Sequence, residues 1–185
     1  MEPTDAELVD AYRAGSVTSL EALVERHGRP LMGYIRGMTR GTAEAEDVFQ
    51  DVWFRVIRKL NGHYRHGFFR AWLTTIAHNL LVDRYRRRRP TVSLDEEPED
   101  GVSLADRLAA PEPGPEKEAD LADLADRVAR AVQQLPPTQR EVFLMRTQQH
   151  LSFADIAELL DIPLNTALGR MHYAVTRLRK ELTRP

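Results

Sequence analysis

Five prolines fall within 26 residues in the middle of this 185-residue chain: Pro90, Pro98, Pro111, Pro113 and Pro115. Acidic residues crowd the same stretch, among them Asp95, Glu96, Glu97, Glu99 and Asp100. Each proline removes a backbone donor and like charges repel, so the stretch reads as an extended linker with little core of its own. Boundaries near 90 and 117 follow, dividing the chain into residues 1–89, a linker at 90–117, and residues 118–185. A short apolar patch, carrying Val102, Leu104 and Leu108, interrupts the linker's polar character.

Charge follows the same division. Residues 1–89 hold 15 basic and 11 acidic residues, net +4; residues 90–126 hold 2 and 12, net −10; residues 127–185 hold 9 and 5, net +4. The overall net charge of −2 therefore averages two basic blocks with an acidic one, and the blocks rather than the average bear on a polyanion partner. The cations are 23 Arg and 3 Lys. Cysteine is absent, which excludes disulfides, thiolate metal sites and a cysteine nucleophile. No apolar run approaches the ~18 residues of a membrane span, and the acidic start does not read as a signal peptide, so the expectation is a cytoplasmic protein.

The first block has helical periodicity. Leu8 and Tyr12, then Leu20, Leu23 and Val24, recur at helical spacing, and Gly28, Arg29 and Pro30 read as a break before a further helix over 31–38. Thr42 is placed to cap the next helix, with Glu44, Glu46 and Asp47 at the positive end of its dipole. That helix is expected to reach Leu60, with Val48, Val52 and Val56 on one stripe and Phe49, Trp53, Ile57 and Leu60 on another. Another helix is expected over 68–88, with Trp72, Ile76 and Leu80 on one side. In the last block Leu121, Leu124, Val128, Val132 and Leu135 form a stripe that Pro136 and Pro137 end. Thr138 with Glu141 reads as a capping box for a helix over 139–147. Ser152 caps a helix over 153–160, and a long helix follows from Asn165 to Leu182. No segment alternates with period two, so the fold class is all-α: two small helical domains on either side of the linker.

Three constellations carry chemistry. Over 151–182, two helices joined by a tight turn make a helix-turn-helix pattern. Ala157 is small at the crossing, Asp161 tolerates a left-handed backbone in the turn, and Pro163 pre-sets the first turn of the second helix. That second helix suits the major groove and offers Asn165, Thr166, Arg170, His172, Tyr173 and Arg177. The alternative is a plain helical hairpin. The second constellation is the basic end of the 68–88 helix, where Arg84 and Arg86 to Arg89 follow Trp72, His78 and Asn79. Phosphates and unstacked bases suit such a terminus, although cations there also satisfy the helix dipole. In the third, Asp47, Gln50, Asp51 and Phe54 come together on one helix face, as a partner-binding surface or as a solvated one. His63 and His66 share a loop without thiolate or carboxylate neighbours and predict no metal site. No phosphate loop, nucleophile elbow or zinc-protease motif is present, so no catalytic residue and no cofactor are expected.

Taken together and in this order, the constellations resemble the sigma-70 family, specifically its small extracytoplasmic-function (ECF) type, over roughly residues 5–184. "AEDVFQDVWFRVIRKL" and "FFRAWLTTIAHNLLVDRYRRRR" resemble region 2; "QQLPPTQREVFLMR" and "LSFADIAELLDIPLNTALGRMHYAVTRLRKEL" resemble region 4. The resemblance implies a bacterial transcription initiation factor. Asp47, Gln50, Asp51 and Phe54 would dock on the β′ clamp helices of core RNA polymerase, and region 4 would meet the β flap. Phe69, Trp72, Ile76 and Asn79 would open and read the −10 element, with Arg84, Arg86 and Arg87 on nearby phosphates. The helix from Asn165 would read the −35 element. An anti-sigma factor, often membrane-anchored, is the further partner implied. The linker suits this use: residues 90 to 118 reach up to ~95 Å when extended, against ~70 Å for two helical turns of DNA.

The second helix departs from the family pattern. Leu168 and Gly169 stand where the family commonly has polar DNA-facing residues, and Tyr173 stands where a basic residue is common. Weak −35 readout follows, with Arg170 the best remaining contact. A stand-alone helix-turn-helix regulator is the competing function, but it leaves the pattern over 47–89 unused. An enzyme has no sequence feature in its favour.

Overall fold

The computed structural model describes residues 2–39, 41–62, 64, 67–88 and 115–183, with only the backbone for 88 and 115–122. Residues 90–114 of the acidic linker, with its apolar patch, and His63, His66 and Arg89 lie outside the described residues, while 115–117, expected in the linker, begin a helix. Eight helices make up the described part: α1 (Asp5–Arg13), α2 (Val17–Met38), α3 (Thr42–Leu60), α4 (Phe69–Arg88), α5 (Pro115–Gln133), α6 (Pro137–Thr147), α7 (Phe153–Leu159) and α8 (Leu164–Leu182). No strand occurs among the described residues.

Helices α1 to α4 form the first unit. Leu8 and Val9 of α1, Leu23, Leu31, Tyr34 and Ile35 of α2, Val48, Val52 and Val56 of α3, and Leu73 and Ala77 of α4 bury together. Thr4 starts α1 with a capping box: its hydroxyl accepts from the Glu7 amide while the Glu7 carboxylate accepts from the Thr4 amide at 2.7 Å. Asp5 then ties α1 to α2, accepting from Arg26 at 2.7 Å and meeting His27 Nε2 at 3.0 Å.

Three local expectations need correction. Pro30 does not break a helix: α2 is continuous through it. Proline costs an interior helix a hydrogen bond and a clash, but Leu23, His27, Leu31, Tyr34 and Ile35 bury along one face on both sides of it, and tertiary packing wins. Thr42 does not cap α3; it is already helical, and Gly41 is the N-cap without any side-chain bond. Thr138 does not cap α6 either. Pro137, with φ preset for a first turn, starts the helix two residues earlier, which moves Thr138 inside it. Glu141, freed from a capping box, pairs instead with His78 of α4 at 2.7 Å.

Helices α5 to α8 form the second unit, with Val142, Met145, Ile156, Ala167, Ala174 and Leu178 inside. The two units share one continuous core, an arrangement absent from the reading of the sequence. Helix α6 lies on α2, and α7 meets α4. Leu144 and Gln148 of α6 and its C-cap seat against Gly37 and Gly33, where α2 has no side chains to keep them away. Polar groups complete the seam. Thr74 donates to Gln149 at 3.2 Å, and Gln133 Nε2 donates to the carbonyls of Arg36 and Gly37, each at 3.2 Å. Tyr34 is fully buried beside Glu141; burial first, and then that negative charge, hold its phenol well above the usual range.

Candidate nucleic-acid interface

Helix α3 points one face inward through Ala45, Val48, Val52, Trp53 and Val56, and helical spacing turns Asp47, Gln50 and Phe54 outward. All three are exposed, and Phe54 keeps 65% of its surface in solvent. An aromatic ring left that open has no role in this core. Asp51, half-buried at the edge of the same face, is an acceptor for Arg84 of α4 at 2.6 Å. The expected polymerase-facing set therefore lies on one surface, and one of its members is joined to the expected phosphate-contacting set. Asp51, Arg55, Leu80, Asp83, Arg84 and Arg87 line a shallow notch between α3 and α4.

The expected −10 set divides. Asn79, Arg86 and Arg87 are exposed and Arg84 is half-buried. Trp72 is half-buried, its ring tilted by 50° against Tyr64 at 4.9 Å and against Phe69 at 5.7 Å. Phe69 and Ile76, at 1% and 6% exposure, are packed into the core in this arrangement. Phe69 centres an aromatic cluster with Tyr64 at 5.6 Å and His27 at 5.1 Å. Its neighbours fix the entry to α4. Arg13 donates to the carbonyls of Leu60 and Tyr64 at 2.9 and 2.6 Å, and the Tyr64 hydroxyl donates to the Gly67 carbonyl at 2.8 Å. Burial first raises the Tyr64 phenol and lowers the His27 imidazole, in each case favouring the neutral form. Arg13 and Tyr64 escaped the sequence reading because a single Arg at a helix end and a lone loop Tyr carry no periodic signal.

Helix α7 begins with a full capping box. Ser152 accepts from the Asp155 amide at 3.1 Å, and Asp155 accepts from the Ser152 amide at 3.0 Å. Arg146 donates to the Leu151 carbonyl at 2.8 Å and sits 5.2 Å over the Phe153 ring, fixing the approach. The turn into α8 places Asp161 at φ 52°, the left-handed conformation that Asp tolerates, and the Ile162 amide bonds the Ala157 carbonyl at 3.0 Å. His150, at φ 51°, is a second left-handed residue that the sequence did not announce.

Helix α8 buries Ala167, Ala174 and Leu178. Its free surface offers Asn165, His172, Tyr173 and Arg177, all exposed, with Thr166 and Arg170 half-buried. Tyr173 is 61% exposed, with the His172 ring edge-on at 5.7 Å. Leu164 and Leu168 are exposed too, and nothing lies within 4 Å of a Cβ built on Gly169. The outward face is thus amphipathic rather than densely cationic. Among the described residues no group of three His, Cys, Asp or Glu side chains is placed to hold a metal ion, and no helix is long and apolar enough to cross a membrane.

Comparison with known proteins agrees with both units. Residues 23–91 match the family model of sigma-70 region 2, and residues 125–178 match that of sigma-70 region 4. The chain is 33% identical over 189 residues to the ECF RNA polymerase sigma factor SigM of Mycobacterium tuberculosis, covering 98% of this chain and 86% of that one. It is 30% identical over 141 residues to the ECF RNA polymerase sigma factor SigW of Bacillus subtilis, covering 75% of each. Among solved structures, CnrH in complex with the cytosolic domain of CnrY superposes with a TM-score of 0.67 at 25% identity, covering 96% of both chains. The sigma factor RpoE in complex with the anti-sigma factor NepR, from Bartonella quintana, superposes at 0.64 and 19% identity over 90% of this chain and 98% of that one, a likeness of fold. With both of its regions matched in order, and with relatives that cover nearly its whole length, the chain belongs to the sigma-70 family of RNA polymerase sigma factors, in the ECF group.

Proposed function

We propose that the chain binds core RNA polymerase and directs it to specific promoters, opening the −10 element with α3 and α4 and contacting the −35 element with α8. The observation that carries this reading is the exposed α3 face of Asp47, Gln50 and Phe54 beside the basic end of α4, on the same chain as a well-formed helix-turn-helix. A stand-alone regulator would have no use for the first unit. The β′ clamp helices suit the acidic and aromatic α3 face, and the β flap suits the second unit. Trp72, Asn79, Arg84, Arg86 and Arg87 follow one another along α4, and on this reading they receive an unstacked strand. Capturing a flipped base offsets an extrusion cost of a few kcal/mol, which exposed Asn79 and half-buried Trp72 are positioned to share. The domain limits we assign are 1–89, 90–117 and 118–185.

The relatives CnrH and RpoE are structurally known with CnrY and with an anti-sigma factor. An anti-sigma factor is accordingly the second protein partner we assign to this chain, and a membrane-anchored one would hold it at the cytoplasmic face. On its family membership we assign the chain no enzymatic role.

Pull-down with core polymerase followed by run-off transcription from a randomised promoter library tests the proposal. Binding that weakens on Asp47→Arg, together with promoter-dependent transcripts, is the expected result. DNA binding by α8 without any polymerase association would refute it in favour of the stand-alone regulator.

A further inference from the structure

We propose that Asp51 and Arg84 mask one another in the free chain, so that polymerase docking through α3 and phosphate contact through α4 are energetically linked. The inference rests on the functional reading above, which gives each residue a separate partner. It adds that the two cannot be engaged independently.

The geometry is direct. A guanidinium nitrogen of Arg84 lies 2.6 Å from a carboxylate oxygen of Asp51, across the α3–α4 groove. Neither side chain is sequestered: Arg84 is 28% and Asp51 48% exposed, so an incoming protein or strand has access to either. While paired, each offers its partner a neutralised group. Arg55, Asp83 and Arg87 line the same notch, so three guanidiniums face two carboxylates. When a polymerase cation takes Asp51, the notch changes from three against two to three against one, and its attraction for a phosphate rises. Linkage requires the reverse as well: a phosphate that takes Arg84 frees Asp51 for polymerase. Polymerase-bound chain would therefore hold single-stranded −10 DNA better than free chain does, by a device built into region 2 itself.

The pair is partly solvated, so the coupling is modest, about 2- to 5-fold in affinity. The sign is what distinguishes it. Arg84→Gln in the full-length chain should tighten binding to core polymerase by that factor, because the Asp51 carboxylate is released. The gain should vanish in an Asp51→Ala background, and Arg29→Gln, which removes an exposed charge on α2, should not reproduce it. Arg84→Met, which keeps the aliphatic stem packed, should behave like Arg84→Gln and serves if the latter folds poorly. In holoenzyme, Arg84→Gln should also lower the slope of log affinity against log salt for a −10 single strand by ~0.7, the loss of one phosphate contact. Folded Arg84 variants that bind core no better than wild type overturn the proposal, as does tightening that persists without Asp51. Failure of the wild-type chain to bind core would instead refute the functional reading itself.

Discussion

Gly37→Ala should pry α6 away from α2, whereas Gly33→Ala, one helical turn earlier, should be accommodated. Both glycines face α6, yet what they face differs. A Cβ at Gly37 would meet both methyls of Leu144, one at 2.8 Å, and its Cγ at 3.2 Å. Leu144 is 4% exposed, so its methyls are surrounded by packed neighbours rather than solvent. A Cβ at Gly33 would meet the end of Gln148, with Cδ at 3.1 Å and Cγ at 3.7 Å, and half-buried Gln148 is free to swing its amide toward solvent. Replacing glycine by alanine inside a helix gains ~1 kcal/mol, and overpacking a closed site costs ~1–3 kcal/mol. Gly33→Ala should therefore stabilise the chain by up to ~1 kcal/mol. Gly37 is next to the last residue of α2, where the propensity gain is smallest, so Gly37→Ala should weaken the docked state by ~1–2 kcal/mol. Urea denaturation measures the first effect, and small-angle scattering the second. A compact chain of this length has a radius of gyration of ~16 Å, and Gly37→Ala should raise it while Gly33→Ala leaves it unchanged. If Gly37→Ala raises the urea midpoint as Gly33→Ala does, with no expansion, the close approach of Leu144 does not govern this seam.

Ser152→Ala removes the hydroxyl half of the α7 capping box, leaves the bond from the residue-152 amide to Asp155, and should cost ~1 kcal/mol, read as a lower thermal midpoint and weaker −35 protection with −10 protection intact. Acid should destabilise the α1–α2 junction. Burial leads in lowering His27, and for Asp5 the Arg26 and His27 bonds outweigh burial, so both folded values lie below the unfolded ones. Stability is then complete above the unfolded His value, begins to fall as pH drops below ~6.5, and falls again below ~4 as Asp5 protonates. Urea midpoints for wild type and His27→Gln between pH 4 and 8 check this: the upper step should be missing from the variant. Gly169→Ala meets open space and should stabilise α8 by up to ~1 kcal/mol, visible in the thermal midpoint. Footprinting of the wild-type holoenzyme should show weaker −35 than −10 protection, since Leu168 and Gly169 supply no polar contact; equal protection would count against that reading.

The helices were largely legible because their stripes are apolar and regular. Val48, Val52 and Val56 could only face a core, and Ser152 and Asp161 mark the helix-turn-helix by their own backbone chemistry. Helix starts were less legible. Thr42 and Thr138 are plausible caps, but Gly41 and Pro137 supply the backbone geometry first. Membership of one continuous core was not legible at all. The residues that join the two units include Gly33, Gly37, Thr74, His78, Glu141 and Gln149, small or polar positions that hydrophobic patterning passes over. The outward α3 and α8 faces were visible as patterns. What patterning could not supply was that Phe69 and Ile76 turn inward, since an aromatic or branched side chain reads alike on a core stripe and on a nucleic-acid face.

The inlay of Leu144 and Gln148 over two glycines would also act at a distance, as a tax on promoter affinity. The described helices, packed on one core, make a compact body ~40 Å across, while two turns of DNA span ~70 Å. A chain that must straddle both elements is competent only with that seam undone. Its apparent dissociation constant is then the intrinsic one divided by the fraction undone, so a seam open ~1% of the time weakens binding ~100-fold. Residues that never touch DNA, such as Gly37, Leu144 and Gln149, would on this account tune promoter occupancy as directly as those on α8.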